Sequence, residues 1–139
     1  MFKKIIVPVD CGQMGKGEKS LRQAASLKNP DGEIILLTVV EKIPAYLTID
    51  VPYELNATAG DEARRIVSHL ASRTGIEAKV ELRFGAAAHE ILECARDHAA
   101  DLIIIASHVP DFSNYLIGAT ADRVVRHARC SVLVSREEA

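Results

Sequence analysis

Polar residues that could bind a ligand or take part in a reaction follow directly after apolar runs of the sequence. Asp10 comes after the first run, whose last residue is Val9. A carboxylate at this place could accept a hydrogen bond from a ribose hydroxyl or help to place a metal ion. The alternative is that Asp10 caps the turn or the helix that follows it. The sequence leaves both interpretations open.

A second candidate is the segment Gly118-Ala119-Thr120, which begins the last amphipathic stretch. A helix N-terminus offers free backbone N–H groups and a partial positive charge, and glycine lets a phosphate approach closely. Thr120 could add a hydroxyl group. This segment is the best phosphate-binding candidate in the chain, and the alternative is that Gly118 is simply a tight loop-to-helix junction.

The glycine-rich stretch CGQMGKG, residues 11–17, is similar to a phosphate-binding loop in composition only. Two residues separate Gly12 from Gly15, whereas the motif Gly-x-x-x-x-Gly-Lys-Ser/Thr needs four. We therefore predict a flexible loop, followed by a helix over about residues 17–28. A contact between Lys16 and a phosphate is the less favoured alternative.

Serine, histidine and cysteine give weaker signals. Ser107-His108 lacks the Gly-x-Ser-x-Gly elbow of a hydrolase, so His108 is expected to contact a ligand or anchor its loop. Three helical histidines have no partner at metal-ligand spacing and are expected at the surface: His69, His89 and His98. The cysteines form no Cys-x-x-Cys pair, which supports neither zinc nor a redox motif and suits a reducing compartment: Cys11, Cys94 and Cys130.

The composition is that of an ordinary globular chain. With 139 residues, of which 48% are hydrophobic, residues 1–139 are expected to form one domain with a sizeable core. The formal net charge of -2 provides no field that would attract nucleic acid or an anionic membrane, so neither partner is expected. The first apolar run is too short for a signal peptide or a membrane span, which predicts a cytoplasmic protein.

Apolar runs alternate with amphipathic segments along the chain. Strands are predicted at residues 5–9, 34–40, 78–84, 102–106 and 132–134. Helices are predicted at residues 17–28, around 63–71, after Gly85 and around 121–128, with a turn at 29–32 and a long loop at 42–56. The period-two pattern of residues 78–84 indicates a strand at a sheet edge. This repetition of strand and helix predicts an α/β fold with a parallel sheet and right-handed crossovers.

Three segments carry a family resemblance that covers nearly the whole chain. They read KKIIVPVD, FGAAAHEILECARDHAADLIIIASH and LIGATADRVVRHARCSVLVSR. In order and in spacing they resemble the universal stress protein family. The resemblance implies a single open five-stranded parallel sheet in the order 3-2-1-4-5, with helices on both faces, of the Rossmann-like adenine-nucleotide-binding kind. It also implies a homodimer joined through the last strand and, in many members, an ATP site with no or slow hydrolysis.

The expected nucleotide loop departs from the family's pattern, Gly-x2-Gly-x9-Gly-Ser/Thr. Ala106 and Val109 stand where the first two glycines are expected, and the stretch before Gly118 is one residue shorter. Ala119 follows Gly118 in place of serine or threonine. The loop Ser-His-x-Pro-Asp at 107–111 resembles that of a subgroup whose members are still thought to bind ATP.

The topology rule for open parallel sheets places a ligand outside the carboxyl ends of the first and fourth strands. Adenine would then lie against Val9 and Val39, ribose near Asp10, and phosphates over residues 118–120. ATP is the expected ligand, with AMP, ADP and an accompanying Mg²⁺ left open. The binding residues expected from the resemblance and the topology are Pro8, Val9, Asp10, Val39, Ala106, Ser107, His108, Pro110, Gly118, Ala119 and Thr120. No catalytic or metal-binding residue is assigned.

The leading functional hypothesis is an adenine-nucleotide-binding stress-response regulator that acts as a dimeric binding module. Residues 130–135 would form an exposed apolar edge, which predicts a homodimer through the last strand and leaves a tetramer open. One alternative is a dimeric interaction protein in which Ala106 and Val109 fill the phosphate space. Another alternative is a slow ATP hydrolase. This hypothesis is the weakest, because the sequence offers no paired carboxylates in the crevice and no recognisable nucleophile.

Overall fold

The computed structural model describes residues 1–41, 53–107 and 118–136. Strands and helices alternate along it: β1 (Phe2–Pro8), α1 (Met14–Leu27), β2 (Lys28–Val40), α2 (Tyr53–Thr74), β3 (Lys79–Phe84), α3 (Ala87–Asp97), β4 (Leu102–Ala106), α4 (Ala119–His127) and β5 (Ser131–Ser135). All strand pairs are parallel, in the order β3-β2-β1-β4-β5. The predicted fold class and strand order are confirmed.

The three central strands are aliphatic without alternation, and this pattern follows from their position. Residues 5–7, 34–38 and 102–106 are all buried. Because helices cover both faces of the sheet, the side chains of these strands are shielded from water whichever face they point to. Ile5 and Val7 pack in the core beneath α1 and α2, whereas Ile6 packs in the core beneath α3 and α4.

The edge strand β3 has two different faces, as its period-two pattern predicts. Val80 packs against the core beneath α2. On the other face, Glu81 contacts Cys94 of α3, and Arg83 pairs with Asp97 of the same helix. The predicted edge position of this strand is confirmed.

Helix α1 begins at Met14, so the prediction of a flexible loop over residues 11–17 is wrong for residues 14–17. Asp10 shapes the turn before the helix, because its Oδ1 accepts the Gly12 N–H at 2.8 Å. Gly17 lies in the first turns of α1, where a Cβ would come within 2.7 Å of Val9 Cγ1. Glycine therefore serves close packing of α1 on the end of β1.

Strand β2 begins earlier than predicted, and the segment 29–32 lies inside it. Phe2 pairs with Lys28, whereas Lys4 pairs with Glu33, so β2 carries extra residues that shift the register. The turn chemistry of Asn-Pro-Asp-Gly thus produces an irregularity within the strand instead of its beginning.

The segment between β2 and β3 differs in part from its prediction. Residues 53–56 belong to α2, so the predicted loop over 42–56 is wrong there. Its remaining residues, 42–52, lie outside the described residues. Helix α2 ends at Thr74, and Gly75 after it adopts a φ of 70°, a conformation that favours glycine.

Within the described ranges 1–41, 53–107 and 118–136, no helix is both long enough and apolar enough to cross a bilayer.

Candidate functional site

A crevice of about 440 Å³ opens at the carboxyl ends of β1, β2 and β4. This is the position at which the chain reverses its winding, where open parallel sheets bind ligands. Val9 and Val39 contribute apolar walls, and Ile91 of α3 and Ile105 of β4 add to them. The volume lies in the range of small-molecule sites, and an apolar wall of this kind suits a flat ring system.

Asp10 occupies the rim of the crevice and is exposed. Its Oδ1 accepts the Gly12 N–H, and its backbone oxygen accepts the N–H of Gln13 at 2.9 Å. The turn-capping role considered from the sequence is therefore present. It occupies one carboxylate oxygen, so the second oxygen can serve a ligand.

Lys16 connects two elements that border the crevice. It lies in the first turn of α1 and lines the crevice, and its Nζ donates to the backbone oxygen of Ser107 at 3.1 Å. Since Ser107 directly follows β4, this bond links α1 to the end of β4. The ammonium group and the positive end of the α1 dipole make this side of the crevice favourable for an anion.

Thr120 brings a second helix N-terminus to the crevice. It lies in the first turn of α4 and is among the residues that line the cavity. Gly118 caps this helix with a φ of 90°, and its carbonyl oxygen accepts the Asp122 N–H at 2.9 Å. The N-termini of α1 and α4 therefore border the crevice together.

The structure brings together some of the residues that the sequence suggested. Six of them line the crevice: Pro8, Val9, Asp10, Val39, Ala106 and Thr120. Gly118 and Ala119 are not among the lining residues, although they begin α4 beside Thr120. Ser107 is buried, and its N–H donates to the Ser135 carbonyl at 2.9 Å, which ties the end of β4 to β5. His108 and Pro110 lie outside the described residues.

Several lining residues were not selected from the sequence. Gln13, Thr38 and Glu41 contribute polar groups to the crevice. Thr38 is 2% exposed and lies 3.6 Å from Cys11, measured from hydroxyl oxygen to sulfur. Its signal was present, because it is the one polar residue in the apolar run of β2. Gln13 carries no comparable signal, because the glycines after it predict a loop where α1 in fact begins.

A second cluster of polar side chains lies between β3 and α3. Glu81 accepts a bond from Arg83 Nε at 2.5 Å and lies 2.7 Å from His98 Nε2. Burial would raise the pKa of Glu81, but bonds from Arg83, His98 and Cys94 outweigh it and lower this pKa to about 2. Burial and the bond to Glu81 raise the pKa of the Cys94 thiol to about 12.

This group corrects the prediction for one histidine. His69 and His89 are exposed, as predicted. His98 was expected at the surface without a partner, but it is half-buried and bonded to Glu81. The partner comes from a strand instead of the same helix, so spacing along the helix could not reveal it.

Sequence comparison adds a decisive observation to this fold and crevice. A sequence model of the universal stress protein family matches residues 1–136. The chain belongs to the universal stress protein family. It is 34% identical to universal stress protein G of Shigella flexneri over 143 aligned positions, which cover 98% of this chain and all of the relative. A universal stress protein of Methanocaldococcus jannaschii is 29% identical and is covered over 84% of its length.

Solved structures share the same fold. The hypothetical protein MJ0577 superposes with a TM-score of 0.81 at 24% identity, over 100% of this chain and 99% of that one. A universal stress protein solved in complex with cAMP gives a TM-score of 0.69 at 16% identity, over 96% and 97% of the two chains. A universal stress protein from Archaeoglobus fulgidus, solved in complex with dAMP, gives 0.57 at 20% identity, over 95% and 96%.

Proposed function

We propose that this universal stress protein binds an adenine nucleotide, with ATP as the leading ligand, in the crevice at the ends of β1, β2 and β4. The observation that carries the proposal is the crevice itself: an apolar cleft at the winding reversal, bordered by two helix N-termini. Two proteins of the same fold, solved with cAMP and dAMP, add support for the adenine and monophosphate part.

The lining residues divide into parts that suit the parts of a nucleotide. Val9 and Val39 would flank the adenine ring, and the free oxygen of Asp10 would accept a ribose hydroxyl. Phosphates would lie toward Thr120 and Lys16, where the helix dipoles and the ammonium group favour negative charge. This assignment gives Lys16 a larger role than its sequence context suggested.

An accompanying Mg²⁺ would find carboxylate oxygens in the same crevice. Asp10 and Glu41 both line it, and carboxylates together with nucleotide phosphates are the usual ligands of Mg²⁺. The bound ion would neutralise phosphate charge. AMP and ADP remain alternative ligands because they share the adenosine part.

The second candidate function is a dimeric interaction protein that does not bind nucleotide. Ala106 favours it, since this residue lines the crevice with a methyl group where the family pattern has glycine. The bond between Lys16 Nζ and the Ser107 carbonyl would have to rearrange if phosphate took the ammonium group. Both features concern the side of the crevice assigned to the phosphates and not the valines assigned to adenine.

The first test is mass spectrometry of small molecules released from freshly purified full-length chain, followed by dialysis against ATP or GTP. We expect adenine nucleotide at close to one per chain, and retention of ATP in preference to GTP. If nothing is released and neither nucleotide is retained, the interaction protein with a closed crevice replaces this proposal.

Slow hydrolysis is a separate question from binding. Phosphate release from ATP with added Mg²⁺ measures hydrolysis, and we expect at most slow turnover. Rapid phosphate release at a rate proportional to protein concentration would show that the protein is a hydrolase and not only a binding module.

We further propose that the protein acts as a homodimer in the cytoplasm during a stress response, with a tetramer as an alternative assembly. The thiols of all three cysteines are free, which suits a reducing compartment. The strand β5 is an edge with the sequence SVLVS and carries no charge, whereas the opposite edge, β3, carries three charged residues in KVELRF. Charges protect edges from pairing, so β5 is the edge suited to a partner copy.

A further inference from the structure

Three different metal-ligating side chains converge between β3 and α3, on the edge of the sheet away from β5. Glu81 Oε1 lies 2.7 Å from His98 Nε2, and Glu81 Oε2 lies 3.3 Å from Cys94 Sγ. One ligand atom from each residue lies within 4.8 Å of the other two. A carboxylate, a thiol and an imidazole therefore surround one point.

The local fold explains this convergence. Cys94 lies in the last turn of α3, and His98, four residues later, caps the C-terminus of this helix. The His98 N–H donates to the Cys94 carbonyl at 3.1 Å, which continues the helical spacing and places both side chains on one side. Glu81 lies on the face of β3 that contacts this helix. The motif is thus Cys-x3-His at the C-terminal end of a helix, with a glutamate from the neighbouring strand.

We propose that Glu81, Cys94 and His98 bind a divalent cation of the zinc class. Thiolate, imidazole and carboxylate are all ligands of Zn²⁺, whereas Mg²⁺ and Ca²⁺ prefer oxygen alone. Three protein ligands leave a fourth tetrahedral position for water. On binding, the Cys94 thiol releases its proton to solvent, and sulfur, nitrogen and oxygen each donate a lone pair to the metal.

The adjustment that the metal requires is small. In a tetrahedral zinc site, ligating nitrogen and oxygen atoms are about 3.3 Å apart, and ligating sulfur and oxygen about 3.6 Å. His98 and Glu81 would separate by less than about 1 Å from their present contact. Rotation of the two side chains supplies this shift, because both are partly exposed, at 29% and 27%.

Arg83 holds Glu81 in the orientation that binding needs. Its Nε donates to Oε2 of Glu81 at 2.5 Å, while its Nη2 contacts Asp97 Oδ2 at 3.0 Å. Oε2 can keep this bond while Oε1, which faces His98, turns to the metal. Hydrogen bonds of this kind orient the carboxylate ligands of metal sites.

The charge around the site also admits a cation. Arg83 is positive, but Glu81, Glu90 and Asp97 all lie within ion-pair distance of it. The neighbourhood is therefore negative before a metal arrives. Cys94 is fully buried, so entry proceeds from the side of Glu81 and His98, which are partly exposed.

Cobalt titration tests the proposal on the full-length chain. After treatment with a chelator, Co²⁺ is added, and the thiolate-to-cobalt charge-transfer absorption and the d–d bands of four-coordinate cobalt are followed. We expect one Co²⁺ per chain, displaced by Zn²⁺. Cys94→Ala should abolish the charge-transfer band, and His98→Gln should weaken binding by at least about tenfold.

Matched variants identify the thiol and the imidazole. Cys130→Ala and His89→Gln remove the same groups elsewhere and should leave the titration unchanged. Circular dichroism checks folding, and His98→Gln, at a partly exposed position, carries the test if Cys94→Ala does not fold. Absence of a charge-transfer band with excess Co²⁺ would overturn the proposal and leave a hydrogen-bonded trio that joins β3 to α3. A band that survives Cys94→Ala but not Cys130→Ala would also overturn it.

Nucleotide binding and metal binding are independent here, because none of the three ligands lines the crevice. Failure of one proposal leaves the other standing.

Discussion

At the scale of single residues, the contact between Gly17 and Val9 shows how the crevice obtains its shape. The first turns of α1 can approach the end of β1 only because Gly17 has no side chain. Val9 is buried and its β-branched side chain is stiff, so it cannot move aside easily. The neighbouring residue, Lys16, donates from its Nζ to the Ser107 carbonyl.

Replacement of Gly17 tests this packing. Gly17→Ala would place a Cβ within 2.7 Å of Val9 Cγ1, and we expect a loss of about 1–3 kcal/mol in the free energy of unfolding. Denaturant titration measures it. Gly15→Ala is the matched control, since no atom lies within 4 Å of its Cβ, and it should be stabilising by about 0.5 kcal/mol. Equal effects of the two substitutions would contradict the packing argument.

The two roles considered for Asp10 can be separated by two substitutions. Asp10→Asn keeps an oxygen for the Gly12 N–H but removes the charged acceptor, so stability should hardly change while ATP affinity falls about tenfold. Asp10→Ala removes the turn bond as well and should lower both. Calorimetric titration and thermal unfolding measure the two effects. Unchanged ATP affinity in Asp10→Asn would leave turn capping as the only role.

At the scale of secondary structure elements, Asp101 fixes β1 beside β4. Its carboxylate accepts the Lys3 N–H at 2.8 Å and the Lys4 N–H at 3.0 Å, and its own N–H donates to the Lys4 carbonyl at 3.0 Å. Burial would raise the pKa of Asp101, but these backbone hydrogen bonds outweigh it and lower the pKa below its ordinary value. The crevice forms at the opposite ends of these two strands.

This pKa shift has a definite consequence for acid stability. A lowered pKa means that the Asp101 carboxylate contributes its stability in full above its unfolded pKa of about 3.9, and loses it as pH falls through the folded value. Asp101→Asn should therefore lower the free energy of unfolding by about 1 kcal/mol at neutral pH. As the pH falls from about 5 to about 2, the variant should lose less stability than the wild type does. Thermal unfolding across this pH range measures both effects. The exposed Asp61→Asn serves as control, and identical pH profiles of wild type and Asp101→Asn would refute the assignment.

The elements were largely predictable from sequence, and the exceptions have physical causes. Buried parallel strands such as residues 102–106 are continuous aliphatic runs, so their positions are explicit. The start of α1 was missed because Gly15 and Gly17 are typical of loops, while close packing on Val9 is a tertiary reason for glycine. The contact of His98 with Glu81 was missed because it joins two elements that sequence spacing does not relate.

At the scale of the whole molecule, the two sheet edges predict which surface pairs. The edge strand β5 carries no charged residue, whereas the edge strand β3 carries Lys79, Glu81 and Arg83. We expect sedimentation velocity at micromolar concentration to give the mass of two chains. Val132→Lys on β5 should shift this mass toward one chain, whereas Val80→Lys on β3 should not. A wild-type monomer, or the reverse effect of the two variants, would contradict assembly through β5.

The family and the order of the strands could be reached from sequence, because the matching segments span nearly the whole chain. The crevice was only partly predictable. Pro8, Val9, Asp10 and Val39 follow from the topology rule, since they end adjacent parallel strands. The contribution of Gln13 and Lys16 depends on where α1 begins, which the sequence did not reveal.

Calorimetric titration of ATP into the full-length chain tests the central claim most directly. The account predicts saturable heat with a stoichiometry near one per chain, competition by AMP, and weaker binding in Asp10→Asn. No heat at millimolar ATP, with the protein shown to be folded, would contradict nucleotide binding in the crevice and favour the interaction protein.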